Sequence, residues 1–341
     1  MTTLVTGASG FLGSHVARLL VERGEAVRVL LRPTSRTRLL DGLAVERVSG
    51  ELRDRRSLEK ALCGVQAVYH VAADYRLWAR DPREIYESNV QGTRNLLAAA
   101  RSAGVKTFVY TSTVGTVAVP RAGVLPDETV VTSIDEMIGA YKRSKWLAEQ
   151  EARQAAAAGL PVVIVNPTTP IGPGDAKPTP TGRIIVDFLN GRMPAYVDTG
   201  LNFVPVEDAA AGHLLAAERG RVGERYILGG VNLSLKQALT ILSEVSGRPA
   251  RRVRVPHILA LAAGYADAVL SRLIGREPHI PLEGVRMARH SMVVNTERAR
   301  AELGFSPGSL RAAFERAVRW YESNGYVRSA RKVDMAAARA A

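Results

Sequence analysis

The chain opens on an apolar run, Thr3-Leu-Val-Thr6, that passes directly into Gly7-Ala-Ser-Gly10-Phe-Leu-Gly13. Apolar residues then recur at Phe11, Leu12, Val16, Leu19 and Leu20, the spacing of an amphipathic helix. A strand, a glycine turn and a helix in that order form a cradle for a dinucleotide pyrophosphate. The glycines let backbone N–H groups approach the phosphates, and the helix presents its positive end to them. The spacing is Gly-x2-Gly-x2-Gly rather than the more common Gly-x-Gly-x2-Gly.

Alternation continues behind that opening. Strands are read at Thr3–Thr6, Ala26–Leu31, Val45–Ser49, Ala67–Val71, Thr107–Thr111 and Val162–Asn166, separated by helical spacers as in parallel crossover units. The first helix stops at Arg23 with Gly24 as its cap. A second starts at Asp81-Pro-Arg-Glu84 and runs to Ser102, and a third spans Tyr141 to Ala158. Uninterrupted apolar strands such as Val162-Val-Ile-Val165 imply burial on both faces. The fold class is therefore α/β, a doubly wound parallel sheet.

At Pro167 the pattern changes to a Pro-, Gly- and Thr-rich stretch. Helices come after it at Arg183–Asn190, Asp208–Glu218 with Asp208 as its cap, Leu235–Ser246, His257–Leu273 and Ser309–Ser323. This divides the chain into a nucleotide-binding domain at 1–166 and a smaller, partly helical substrate lobe at 167–327. The lobe sends its chain back to the sheet, and 328–341 reads as a frayed tail. A length of 341 residues exceeds one compact core, which suits that division.

Composition excludes more than it specifies. The net charge of +13 invites a nucleic-acid partner, but the arginines are scattered and form no basic block interleaved with aromatics, so none is expected. No residue spacing reads as a metal site. The single Cys63 cannot form an internal disulfide and is expected to pack as a small apolar residue on a helix. The first strand begins at once, with no room for a secretory leader, so a cytoplasmic protein is expected. No stretch reaches the roughly 20 apolar residues of a transmembrane span. The nearest, His257 to Gly275, carries Asp267 and Arg272. It reads as a helix packed on the smaller lobe, a greasy wall for a lipid-like substrate, or a surface helix in peripheral contact with a membrane.

Tyr141-Lys-Arg-Ser-Lys145 carries the candidate chemistry. Four residues of helix place Tyr141 and Lys145 on one face. A free phenol, with a pKa of about 10, moves protons poorly at neutral pH, and a neighbouring ammonium favours the phenolate. Strand Thr107–Thr111 leads into Ser112 and Thr113, hydroxyls at the ligand-binding edge of an open sheet. Arg32 ends the second strand, where an acidic residue would select a ribose 2′-hydroxyl and an arginine suits a 2′-phosphate. Arg36 and Arg38 lie close by. Tyr75, Arg76 and Trp78 come after the fourth strand at the same edge and are read as substrate-pocket residues.

With these pieces in order, the chain resembles the extended short-chain dehydrogenase/reductase family over nearly its full length. The resemblance rests on TGASGFLG (6–13), HVAA (70–73), NVQGTRNLL (89–97), YTST (110–113), YKRSK (141–145), NPTTPIGP (166–173), VPVEDAAAGH (204–213) and AELGF (301–305). It implies a Rossmann sheet, with Thr113 in the catalytic hydroxyl place, Tyr141 as acid/base and Lys145 as its activator and a ligand of the nicotinamide ribose. It places Gly7, Gly10, Phe11, Leu12 and Gly13 at the pyrophosphate and Ala72 near the adenosine half. Asn89 becomes a support of the active site, and Pro167 a neighbour of the nicotinamide. Glu51-Leu52 stands where the family usually has Asp-Leu at the adenine, so Leu52 is carried over with an altered neighbour. Two branches are most similar, dihydroflavonol-reductase-like carbonyl reductases and hopanoid-associated sugar epimerases. The second resemblance is carried by 71–82, 135–151 and 177–200.

The expected activity is an NADP(H)-dependent oxidoreductase or epimerase, with NAD the alternative cofactor. It acts on a secondary alcohol or ketone of a sugar-like or polyhydroxylated small molecule, and the second resemblance implies a hopanoid-linked one. A non-catalytic nucleotide sensor of the same fold is the alternative, and the presence of Thr113, Tyr141 and Lys145 together speaks against it. The resemblance also implies a homodimer paired through the helices at 83–102 and 141–158.

Overall fold

Strands made almost wholly of aliphatic residues can leave neither sheet face in water, so they pair side by side and are covered on both sides. In the computed structural model, which describes residues 1–119, 124–249 and 253–327, six of them pair in parallel. They are β1 (Thr2–Thr6), β2 (Ala26–Leu31), β3 (Val45–Ser49), β4 (Val65–His70), β5 (Thr107–Thr111) and β6 (Val162–Pro167). Each lies within two residues of its expected bounds. The tail expected at 328–341 lies outside the described residues.

The helices between them are α1 (Phe11–Glu22), α2 (Arg55–Ala61), α3 (Arg83–Tyr86), α4 (Gly92–Ser102) and α5 (Gly139–Ala157). The helix expected from residue 81 to 102 is one continuous run, with a wide π-helical turn at Glu87–Gln91 joining α3 to α4. Sequence reading missed α2, which is short and mostly charged. Asp54 caps it by accepting from the Arg56 N–H at 3.0 Å. Cys63 does not pack on a helix as expected. It sits exposed in the turn directly after α2.

The later chain contains β7 (Thr169–Ile171), α6 (Pro180–Leu189), β8 (Ala195–Tyr196), β9 (Gly200–Pro205) and α7 (Val206–Arg219). Then come β10 (Arg225–Leu228), β11 (Val231–Ser234), α8 (Leu235–Ser246), β12 (Val253–Arg254) and α9 (His257–Ile274). The chain closes with α10 (Leu282–Ala288), α11 (Glu297–Leu303) and α12 (Leu310–Ser323). Strand β10 crosses back to dock in parallel outside β6, completing a seven-stranded sheet of order β10-β6-β5-β4-β1-β2-β3. Helices α1 and α7 cover one face over Val16, Leu20 and Leu214, and α2, α4 and α5 cover the other over Leu58, Leu96 and Ala148. A separate core of Phe188, Phe203, Leu239, Phe314 and Tyr321 holds α6, α8 and α12 on the small β11-β9-β7 sheet. The chain leaves β1 toward β2 on one side and returns to β4 on the other, so a crevice opens where strand order reverses.

Two late expectations are corrected. Asp208 does not cap α7, which starts two residues earlier behind Pro205. From inside the first turn its carboxylate accepts from the Gly308 N–H at 2.7 Å. Helix α9 does not pack by its apolar side. Its fully buried residues are Gly264 and Ser271, and it meets the length and composition of a membrane span, alone in this among the described residues.

Two buried histidines brace the sheet. His70 at the end of β4 joins the Thr6 hydroxyl (2.8 Å) to that of Thr93 (2.9 Å), and His213 on α7 joins Thr111 (3.0 Å) to the Ala209 carbonyl (2.7 Å). Burial pushes His70 down to about 3 and His213 down to about 4. Both rings take up a proton only on unfolding, so their contribution is complete above pH 6.5 and falls as pH drops toward 4. The urea midpoint is expected to decline across that window by the equivalent of about 2–3 kcal/mol per histidine, and His213→Asn to flatten the decline.

Candidate active site

The glycine turn is shaped for close approach. Gly7 holds φ +74°, and a Cβ on it would lie 2.6 Å from the Ala72 nitrogen. A Cβ on Gly13 would lie 2.3 Å from the Gly7 carbonyl oxygen. Gly10 is the N-cap of α1 and no side chain caps that helix, so its first N–H groups point at the crevice without a side-chain acceptor. Ala72, whose N–H donates to the Thr6 hydroxyl at 3.3 Å, forms the opposite wall at the end of β4. An open helix end beside a turn too tight for any Cβ fits a dinucleotide pyrophosphate.

Two hydroxyls and an amine lie beside the end of β5. Thr113 is two residues beyond β5, in extended conformation, and its hydroxyl accepts from the Gly115 N–H at 3.2 Å. The Thr113 hydroxyl lies close enough to that of Tyr141 to favour its ionised form. Burial holds the Tyr141 hydroxyl above its ordinary range, partly offset by the Thr113 hydroxyl. Lys145, one turn further along α5, is 2% exposed. Its ammonium donates to the Tyr110 hydroxyl (2.9 Å) and the Thr111 carbonyl (2.7 Å). Desolvation pushes Lys145 down to about 7, against the opposing pull of Glu149. The dominant influence on Tyr141 is thus burial, not the downward pull of Lys145 that the sequence suggested, because the ammonium is directed at Tyr110.

Two residues fix this arrangement from behind. Asn89, on the π-helical turn, accepts from the Asp74 N–H (2.7 Å) and donates to the Asp74 carbonyl and the Ser144 hydroxyl, both at 2.9 Å. It ties the loop after β4 to α5. Glu149 was not singled out from the sequence. Its carboxylate is 1% exposed and accepts from Ser112, Thr116, Asn166 and Arg225. Burial raises its pKa, yet Arg225, Ser112, Arg153 and Thr116 together hold it below the usual carboxylate value. This network clamps the turn that carries Thr113. Its one sequence signal was a Glu one turn beyond Lys145 on the same face of the helix.

The other expected residues spread along the same edge. Arg32 lies just past β2 and is exposed; its backbone N–H donates to the Ser35 hydroxyl at 3.0 Å. Arg38 instead reaches Asn324 at 2.7 Å. Leu52 packs beneath Gly92, and Glu51 is held by Arg53 at 2.6 Å. Pro167 ends β6 and is buried. The Tyr75 hydroxyl donates to the Lys177 carbonyl at 3.0 Å, and burial, with Asp175 and Asp74 nearby, pushes it up to about 12. Trp78 is partly exposed, whereas Arg76 is engaged by Asp74 and Glu84 at 2.6 and 2.9 Å.

The NAD-dependent epimerase/dehydratase family matches residues 3–229. A putative dihydroflavonol 4-reductase from Synechocystis is 46% identical over 95% of this chain and 96% of its own. Sterol demethylase protein B from Methylococcus capsulatus is 40% identical over 96% of this chain and 100% of its own. The crystal structure of a nucleoside-diphosphate-sugar epimerase from Pseudomonas aeruginosa superposes with a TM-score of 0.80 at 32% identity, covering 96% of this chain and 99% of that one. Glycine cradle, sheet order and relatives agree: the chain belongs to the NAD-dependent epimerase/dehydratase family of extended short-chain dehydrogenases/reductases, and it is an NAD(P)-dependent enzyme.

Proposed function

We propose that the enzyme is an NADP(H)-dependent oxidoreductase acting on a secondary alcohol or ketone of a polyhydroxylated or sugar-bearing lipid. The observation that carries this reading is the Thr113 hydroxyl beside that of Tyr141, with Lys145 one turn further along the helix, at the edge that also holds the glycine cradle. Gly7, Gly10, Phe11, Leu12 and Gly13 would hold the pyrophosphate, with Leu52 and Ala72 along the adenosine half and Pro167 near the nicotinamide. A bound nicotinamide supplies hydride transfer. Thr113 orients the substrate oxygen, and Tyr141 gives that oxygen its proton on reduction or removes it on oxidation. Lys145, its ammonium held on the Tyr110 hydroxyl and the Thr111 carbonyl, would bind the nicotinamide ribose, while Tyr75 and Trp78, with residues of 167–327, would form the substrate side. The two relatives named for a reductase and a sterol-processing protein favour a carbonyl of a bulky, largely apolar substrate.

Reduction and epimerisation draw on the same three side chains. Net consumption of NADPH with a ketone substrate is expected. Retained cofactor without net turnover would make the enzyme an epimerase instead. Arg32 is the proposed partner of the 2′-phosphate. Arg32→Ala is expected to weaken NADPH binding by about 10- to 100-fold in a fluorescence titration and to leave NADH nearly unchanged. Equal effects on the two cofactors would remove Arg32 from that role.

A further inference from the structure

Helix α9 is built inside out. The two positions it buries, Gly264 and Ser271, are small, and beside them lies Asp267, whose carboxylate is held by Arg276 at 2.6 Å and by the Ile280 N–H at 2.8 Å. The positions it turns outward are Ile258, Leu259, Val269, Leu270, Leu273 and Ile274, each 50–78% exposed. They recur at helical spacing and form one apolar stripe along 18 residues, about 27 Å of helix. An apolar face of this length left to solvent marks an interaction surface.

The helix also has a definite place relative to the active site. It packs on α10, and the Glu283 carboxylate of α10 accepts from the Ala140 N–H at 3.2 Å, immediately before Tyr141. Gly284 lies against Leu77, between Tyr75 and Trp78. Helix α10 is thus the inner layer, and α9 the outer layer, of a cover over the proposed substrate side.

Charge identifies the occupant. Between residues 251 and 290 the sequence has seven arginines against three carboxylates. Of those carboxylates, Asp267 and Glu283 are engaged within the protein. Arg272, Arg286 and Arg289 are exposed and form no ion pair with a carboxylate among the described residues. A second copy seated on this face by two-fold symmetry would bring the same cations together. A bilayer rich in anionic lipid accepts both features, because its acyl region takes the stripe and its phosphates take the arginines. We propose that α9 lies in the interfacial plane of an anionic membrane. If the proposed function holds, the cover then faces the lipid and an apolar substrate enters without crossing water.

Flotation of the full chain with vesicles tests this. Recovery is expected with phosphatidylcholine vesicles containing about one third phosphatidylglycerol, and much less with phosphatidylcholine alone or in high salt. The double variant Val269→Asp/Leu273→Asp changes only outward positions, so its melting temperature and NADPH binding should be retained while flotation falls about 10-fold or more. If that variant melts early, Leu259→Ser/Leu270→Ser serves the same purpose. Arg272→Glu/Arg289→Glu should abolish the preference for anionic vesicles. Native protein that floats with neither vesicle overturns the proposal. So does a lipid-free dimer, seen by sedimentation, that the Val269→Asp/Leu273→Asp variant dissolves, because a second copy would then be the occupant. Vesicle binding needs no turnover, so a protein that floats but reduces no ketone counts against the proposed reaction and not against the membrane surface.

Discussion

Tyr141→Phe is expected to lower turnover by about 10²- to 10⁴-fold while the Kd for NADPH stays within about twofold. The variant keeps the ring and loses only the hydroxyl that lies beside Thr113, so packing around α5 is preserved. Residual activity above one tenth of the native value would show that the proton comes from elsewhere. Lys145→Met gives the complementary result. Its ammonium contacts Tyr110 and the Thr111 carbonyl, so the substitution should shift the pH profile as well as reduce its height. A non-catalytic sensor would be indifferent to the loss of the Tyr141 hydroxyl.

Glu149→Ala is expected to destabilise the fold by about 3–5 kcal/mol in urea unfolding monitored by circular dichroism. The carboxylate is the counter-ion of Arg225, whose side chain is 9% exposed and 3.2 Å away, and removing it leaves a buried cation with only the Glu128 and Val130 carbonyls as partners. Ser112, Thr116 and Asn166 lose an acceptor at the same time. Replacing both charges, as Glu149→Met/Arg225→Met, should cost less than Glu149→Ala alone, because no buried charge then remains unmatched. A loss under about 1 kcal/mol for the single variant would mean that water reaches Arg225.

The first half of the fold was legible because its signals are local. An uninterrupted Val162–Val165 run marks a buried strand, Gly24 marks a helix end, and the glycine turn marks the start of α1. The missed pieces lacked such signals. Strand β10 has only four residues, too few for a period, and its place beside β6 is fixed by a partner about 60 positions upstream. Helix α2 is mostly charged and depends on Asp54 for its start. In the site, Tyr141 and Lys145 could be paired from a four-residue spacing, but not the redirection of Lys145 toward Tyr110 across 35 residues. The same limit applies to α9. Periodicity revealed a stripe there, and it cannot say which side of a helix is turned to the protein.

The counter-ion to Glu149 arrives late in the polypeptide. A nascent chain that has emerged only through β6 carries the glycine turn, Thr113, Tyr141 and Lys145, yet lacks Arg225. Until that arginine docks, the carboxylate beneath the Thr113 turn has Arg153 as its cationic partner and lacks the more buried one. If the proposed function holds, the pyrophosphate cradle is therefore synthesised before the support of the Thr113 turn is complete. A gene split anywhere between residues 167 and 225 would yield an amino-terminal fragment with its reacting groups present and their foundation missing.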